Sequence, residues 1–200
     1  MPVRGQQELI TEIVAQALNT PAEPNKSFAW FKNTHNLEDF GIYYSLINEI
    51  FKMLGGNSNA NKQVRTLNCD AYFGGSYNFI FEFDEHQHFS TARLRALTQY
   101  PANLPTAFNI QEYQAYCHKY LDKADKYRHR KTTTDFDFAG GRTAQRAYLD
   151  CFRDILPTLH GLQPTVRICE FEVMGVVENN SQSRSFMERL LEKKFKLVQN

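Results

Sequence analysis

The sequence predicts an α/β (α+β) fold, with a small central mixed sheet flanked by helices, in a single domain over residues 1–200. Residues 64–84 hold two apolar runs on either side of a Gly-Gly pair, which is the pattern of an antiparallel hairpin. Residues 165–173 alternate apolar and polar side chains, as a third strand does. The helical section between them is expected to carry the chain back to the sheet.

Two helices are predicted before the hairpin. In residues 6–18 apolar side chains recur at helical spacing, and two prolines follow. A second helix over residues 37–54 begins after Asn36, whose side chain can cap it, and ends at two glycines. Residues 1–37 are therefore assigned to an N-terminal helix and a connector.

Further helices are predicted on both sides of the late strand. Their expected bounds are 90–99, 111–127, 143–156 and 183–197. Pro157 is expected to end the third of them, because proline has no backbone N–H. A loop rich in Thr, Asp and Gly, residues 132–141, should join the second to the third.

The composition excludes several functional classes. The four cysteines form no C-x-x-C pair, so a zinc ribbon or a redox motif is not expected. The chain has no run of about 18 apolar residues and no N-terminal targeting pattern, so we expect a cytoplasmic protein without a membrane partner. The net charge of +1 indicates no partner, because only the distribution of charge would show a nucleic-acid surface.

The second strand of the hairpin carries two acids. Alternate residues of a strand lie on opposite faces, so the phenylalanines of 79–83 share one face, and Glu82 and Asp84 share the other. The phenylalanine face belongs in the core, and the acids should face solvent beside Asp70 from the neighbouring strand. Like charges so close raise one another's pKa unless a cation lies between them, which predicts bound Mg²⁺. The alternative is a hairpin edge with solvated acids.

A Mg²⁺ ion at this position indicates phosphodiester hydrolysis. Asp70, Glu82 and a backbone carbonyl near Phe83 would supply oxygen ligands and leave positions for water. The metal would make a bound water more acidic and neutralise charge on a phosphate. Asp84 would bind a second metal or orient the water, and Glu49 on the preceding helix is a further candidate ligand.

These residues resemble the PD-(D/E)xK nuclease superfamily. The resemblance rests on Asp70, the twelve-residue step to Glu82 and the run E-F-D-E-H-Q-H-F that follows. It is nearest to the branch related to very-short-patch-repair endonucleases, through E-x-D-x-x-Q-H. It covers residues 38–173 and implies a restriction-endonuclease-like core, dependence on Mg²⁺ or Mn²⁺, and cleavage of double-stranded DNA by a type II restriction enzyme or a repair nuclease. A restriction enzyme that cuts both strands would be a homodimer.

The chain departs from the superfamily's pattern at its lysine, because Asp84 stands in that place. Gln87 and His88 are the candidates for a substitute. The predicted catalytic residues are Asp70, Glu82, Asp84, Gln87 and His88, and the predicted metal ligands are Asp70, Glu82 and Glu49. An alternative register would use Glu85 and Gln87 as E-x-Q, but strand alternation places Glu85 on the phenylalanine face.

A basic segment is the predicted DNA-binding surface. Residues 119–131 hold six lysines and arginines against two aspartates, which would bind phosphates in a salt-dependent manner. The predicted DNA-binding residues are Lys119, Lys123, Lys126, Arg128, Arg130, Lys131, Arg142 and Arg146. The alternative is a solvated helix face.

Two other functions remain open from the sequence. One is a catalytically inactive nuclease fold that binds nucleic acid or a protein. The other is a metalloenzyme with a metal held by His86 and His88, although the further ligands such a site needs are not found in the sequence.

Overall fold

The computed structural model describes residues 3–198. Its helices are α1 (Val3–Ala17), α2 (Leu37–Phe40), α3 (Tyr44–Met53), α4 (Thr91–Leu97), α5 (Ile110–Lys126), α6 (Gly141–Leu159) and α7 (Ser181–Val198). Its strands are β1 (Ala22–Pro24), β2 (Ser27–Lys32), β3 (Thr66–Asn68), β4 (Ala71–Phe73), β5 (Phe79–Asp84) and β6 (Gln163–Cys169). None of the described helices is long and apolar enough to cross a membrane.

A mixed four-stranded sheet lies at the centre, in the order β1-β4-β5-β6. The hairpin strands β4 and β5 are antiparallel, with Ala71 opposite Phe81. Strand β6 runs parallel to β5 and places Arg167 opposite Glu82. The helical section that ends in α6 provides the crossover that a parallel pair requires. The predicted α+β fold class, a small mixed sheet flanked by helices, is confirmed.

Helices cover both faces of β5. Its phenylalanines pack in one core with apolar residues of α1 and α7, including Ile13 and Leu191. Ile80 on the other face packs in a second core with α3 and α6, including Phe51 and Phe152. Every residue of β5 is buried. The prediction that the face with Glu82 looks out to solvent was therefore wrong, because α6 lies across it.

The first strand of the predicted hairpin is split at Cys69 and Asp70. Strand β3 pairs with β2 in a separate two-stranded sheet, while β4 pairs with β5 in the central one. Backbone bonds from Cys69 to Lys26 and from Asn25 to Asp70 hold the crossing point between the two sheets. Asp70 thus lies at a fixed break in the strand, at the start of β4.

The N-terminal segment belongs to the central sheet. Strand β1 pairs with β4, and α1 packs on the phenylalanine face. The core therefore includes α1, so the assignment of a core to residues 38–173 leaves out one strand of the central sheet, β1, and two of the core's helices, α1 and α7. The predicted helix over residues 37–54 is interrupted at Gly41, which has a φ of +47°.

Pro157 lies inside α6 instead of ending it. A proline cannot donate to the carbonyl four residues earlier, which is that of Arg153. The hydroxyl of Thr165 on β6 donates to this carbonyl instead. This bond satisfies the freed acceptor, so α6 continues to Leu159 and is tied to the edge strand of the sheet.

Candidate functional site

Asp70 and Glu82 lie beside each other at one end of the hairpin. Ala71 pairs with Phe81 on the neighbouring strand, and continuing this register by one residue places Asp70 opposite Glu82. The Oδ2 of Asp70 accepts the backbone N–H of Phe83 at 2.8 Å, which orients its carboxylate across the end of β5. Both acids line one polar cleft of about 340 Å³. The structure therefore brings together the two residues on which the sequence prediction mainly depended.

One oxygen of Glu82 has no partner. The residue is 4% exposed, and its Oε2 lies 2.9 Å from the Nε of Arg153 on α6. Its Oε1 is buried and forms no hydrogen bond. Burial raises the pKa of Glu82 to about 8, because loss of solvation outweighs the attraction of Arg153, and Asp70 adds repulsion. The free oxygen is a position at which a cation would stabilise the ionised carboxylate.

Asp70 is also perturbed. Burial raises its pKa, although the N–H of Phe83 and the guanidinium of Arg153 act in the opposite direction. Two carboxylates with raised pKa values in one cleft are typical of functional sites. They are also costly to ionise together, which favours a cation between them.

The donor set of the cleft suits a hard divalent ion. Mg²⁺ is usually bound by one or two carboxylates and keeps several waters. Asp70 and Glu82, with the unpartnered Oε1, meet this requirement. Within residues 3–198 no group of three or more His, Cys, Asp and Glu side chains is arranged to hold a metal. An ion here would therefore depend on two carboxylates and water, and a site built on His86 and His88 has no support.

Asp84 does not take part in the cleft. It is fully buried, and the Nη1 of Arg167 lies 2.7 and 2.9 Å from its two oxygens. The hydroxyl of Tyr113 on α5 donates to it as well. Asp84 is not among the residues that line the cleft. The expectation that it binds a second metal or orients water was wrong, because both its oxygens are already occupied.

The partners of Asp84 belong to a buried ionic network between α6 and the sheet. The Nε of Arg167 donates to Asp154 at 2.7 Å, and its Nη2 donates to the carbonyl of Asp150 at 3.2 Å. Arg93 on α4 bonds Asp154 at 2.7 Å. These contacts fix the position of α6, and with it the side chains that α6 presents to the cleft.

Glu85 and the 3₁₀ turn that follows it (His86–His88) bring three polar residues to the cleft. His88 lines it, with Nδ1 2.9 Å from Asp150. Gln87 donates to Glu85 and has a buried Oε1 without a partner. Glu85 lines the same cleft, because strand alternation ends at Asp84. Its exclusion on grounds of alternation was therefore wrong, whereas Gln87 and His88 lie where the sequence placed them.

The Nδ1 of His88 lies close to two buried acids, Asp150 and Asp84. Burial alone would raise the pKa of Asp150, but His88 and Arg167 outweigh burial and hold it below its ordinary value. Asp84 is a second acid, 3.5 Å from the same nitrogen of His88. The imidazole is thus anchored through Nδ1, which leaves Nε2 for a group in the cleft.

Glu49 lies outside the cleft. It is exposed on α3, whose buried side packs in the core with α6 and Ile80. The cleft is lined instead from α1, the hairpin, the segment after α5, and α6. Glu49 faces solvent, and the prediction that it is a metal ligand was therefore wrong.

Three arginines line one side of the cleft. Arg128, Arg142 and Arg146 were all predicted to bind DNA, and backbone bonds between the two ends of the loop from α5 to α6 bring them together. None of the three has a carboxylate within 4 Å among residues 3–198. Burial lowers the pKa of Arg142 and of Arg146. Arg128 has a left-handed φ of 53°, which is uncommon outside glycine. Three arginines that have no carboxylate partner, two of them partly buried, favour an anionic ligand in the cleft.

The other predicted phosphate contacts are exposed and do not line the cleft. They are Lys119, Lys123, Lys126, Arg130 and Lys131. Sequence reasoning also missed Asp150 and Arg153, which line the cleft from α6. A signal for them was present, because they follow Arg146 at four and seven residues and so share its helix face.

Comparisons with known proteins indicate a family but no activity. No curated protein and no solved structure matches the chain significantly. Residues 49–189 match a family described as "Family of unknown function (DUF7255)". This range contains Asp70, Glu82, Arg146 and Arg153. Because the match covers more than half of the chain, the protein belongs to the DUF7255 family of unknown function.

Proposed function

We propose that the protein is a divalent-metal-dependent nuclease that hydrolyses phosphodiester bonds in DNA. The observation that carries this proposal is the buried, unpartnered Oε1 of Glu82 beside Asp70. The same cleft holds Arg128, Arg142 and Arg146 without carboxylate partners. Asp70 and Glu82 can bind a metal ion, and the three arginines beside them can bind a phosphate, so the cleft fits both groups together.

Each side chain of the cleft has a role in such a reaction. Asp70 and Glu82 would hold Mg²⁺ or Mn²⁺, which when bound supplies Lewis acidity and a more acidic water. The three arginines bind phosphate oxygens and orient the substrate. Arg153 favours the ionised form of Glu82. His88, oriented by Asp150, can hold or release a proton at Nε2.

The resemblance to the PD-(D/E)xK superfamily supports the same assignment. It implies a helix before the hairpin, the hairpin and a later strand around a small mixed sheet, and the chain has these elements in this order as α3, β4–β5 and β6. The cation closest to Glu82 comes from α6, as Arg153, and not from the strand. We propose Arg153 as the positive group in place of the superfamily's lysine.

Supercoiled plasmid provides the test. We expect nicking with Mg²⁺ or Mn²⁺ and none with EDTA. Glu82→Gln and Asp70→Asn should each reduce the rate by about 100-fold or more, since loss of metal stabilisation costs several kcal/mol and about 1.4 kcal/mol is tenfold in rate. Glu49→Gln, an exposed carboxylate outside the cleft, is the matched control. Cleavage that persists in EDTA, or in Glu82→Gln, would refute the proposal.

A second candidate is a catalytically inactive module that binds nucleic acid. The ion pair between Arg153 and Glu82 favours it, because it already neutralises part of the charge that a metal would neutralise. This candidate predicts DNA binding that is unchanged by EDTA and by Glu82→Gln, with no cleavage in any buffer. Fluorescence anisotropy beside the plasmid assay separates the two functions.

A further inference from the structure

The depth of the carboxylates restricts which nucleic acid can reach them. Glu82 and Asp150 are buried at the floor of the cleft, whereas Arg128 is exposed at its rim. A duplex is a stiff rod with a persistence length of about 50 nm. Its phosphates approach a buried carboxylate less readily than those of a flexible strand do. An unpaired strand bends at each nucleotide and can place a phosphate on the floor.

Tyr127 provides an aromatic surface beside the phosphate-binding arginines. It follows the end of α5 and lines the cleft. The guanidinium carbons of Arg128 and Arg146 lie 5.2 and 5.5 Å from its ring centroid. Because Arg128 is exposed, it can leave the ring without losing buried contacts. Proteins that bind single strands combine such rings, on which bases stack, with cations along the backbone.

The cleft also continues past the two carboxylates. Gln7 and Asp70 line both this cleft and a second one of about 550 Å³, whose other walls come from α1 and the β1 region. None of its described lining residues is a lysine or arginine, and its charged ones, Glu8, Glu12 and Asp70, are all acidic. The phosphate-binding groups therefore lie on the arginine side of Asp70, and the acidic groove beyond it does not favour phosphates.

We propose that the cleft takes an unpaired DNA strand, either a single strand or an unpaired segment of a duplex. Phosphates bind Arg128, Arg142 and Arg146, and a base stacks on Tyr127. The inference names the substrate of the proposed nuclease and rests on that function for the cleavage step. It replaces the double-stranded DNA that the sequence resemblance implies.

Binding and cleavage of matched oligonucleotides test the inference. One labelled strand is presented alone or annealed to its full complement, with anisotropy in EDTA and cleavage in Mg²⁺. We expect the single strand to bind and to be cut about tenfold better or more. Tyr127→Ala should weaken single-strand binding by about tenfold, the scale of one stacked base. Tyr127→Phe, which keeps the ring, and Lys52→Ala, which removes an exposed cation on α3 outside the cleft, should leave it unchanged.

Each outcome decides one point. Equal or tighter binding of the duplex, or no effect of Tyr127→Ala, overturns the unpaired-strand inference and leaves a Glu82-dependent nuclease standing. Tighter binding of an RNA strand of the same sequence overturns DNA as the ligand. A single-strand preference without metal-dependent cleavage supports the binding mode and refutes the proposed nuclease.

Discussion

Replacing Glu82 by glutamine should remove a pH-dependent loss of stability from the metal-free protein. The carboxylate is 4% exposed, and one of its oxygens has no partner. Glutamine has nearly the same shape and stays neutral at every pH. The substitution therefore changes the charge at the floor of the cleft and little else.

The pKa of Glu82 sets the size of this effect. It is about 8 in the folded protein, against an ordinary value of 4.5. Each pKa unit corresponds to about 1.4 kcal/mol, so ionising Glu82 costs the fold at most about 5 kcal/mol. The folded state holds this proton more tightly than the unfolded state does. The stabilisation is therefore complete below pH 4.5 and is lost as the pH rises through about 8. Relaxation and water entry reduce such costs, and we expect a measured difference of about 2 kcal/mol or more.

Urea unfolding in EDTA at about pH 5 and about pH 9 measures the difference. Native protein should lose more stability between the two conditions than Glu82→Gln does, and Glu49→Gln should behave as the native protein. Mg²⁺ should then stabilise the native protein at the higher pH by mass action, and should not stabilise Glu82→Gln. Equal pH dependence in both proteins would refute the buried charge, and the absence of a Mg²⁺ effect would refute the metal site.

Three further predictions concern the scaffold and the cations. Asp84→Asn should destabilise the fold by about 3 kcal/mol, the low end for a broken buried pair, because Arg167 loses one carboxylate in a dry interior and keeps Asp154; urea unfolding would detect this, and an unchanged midpoint would contradict the pairing. Removing one phosphate contact by Arg142→Ala should reduce the slope of log affinity against log salt by about 0.7 for a single strand; a salt titration that gives the same slope would exclude the contact. Gly141→Ala should destabilise by about 1–3 kcal/mol, since its Cβ would lie 1.9 Å from the carbonyl oxygen of Phe136. Gly175→Ala, with no atom within 4 Å of its Cβ, is the control for thermal unfolding.

Local sequence patterns located the hairpin and its acids for a clear physical reason. The two faces of a strand are fixed by alternation, and the turn at two glycines sets which residues of β4 and β5 pair. The relation of Asp70 to Glu82 depends on these two rules alone. The alternation rule failed at Glu85 because it applies only within the strand, and β5 ends one residue earlier.

Long-range partners account for what the sequence analysis missed. Asp84 is occupied by Arg167, which is 83 residues away along the chain. Strand β1 is too short to show alternation, and it enters the sheet only by pairing with β4. The continuation of α6 past Pro157 depends on the hydroxyl of Thr165. Such contacts form between elements whose relative position no local pattern contains.

Glu82 and Asp84 differ in how their carboxylate oxygens are paired, and this difference separates a structural carboxylate from one that could bind a ligand. Both lie on the same face of β5, under α6. At Asp84, Arg167 and Tyr113 occupy both oxygens, so the buried charge is compensated within the protein. At Glu82, Arg153 contacts one oxygen and the cleft leaves the other bare. An incompletely paired buried carboxylate lowers stability, and proteins keep such costs chiefly where activity requires them. A metal or another cation in the cleft would remove this cost, whereas no further contact within the fold is needed at Asp84. The unpaired oxygen of Glu82 is therefore better explained by a ligand than by packing.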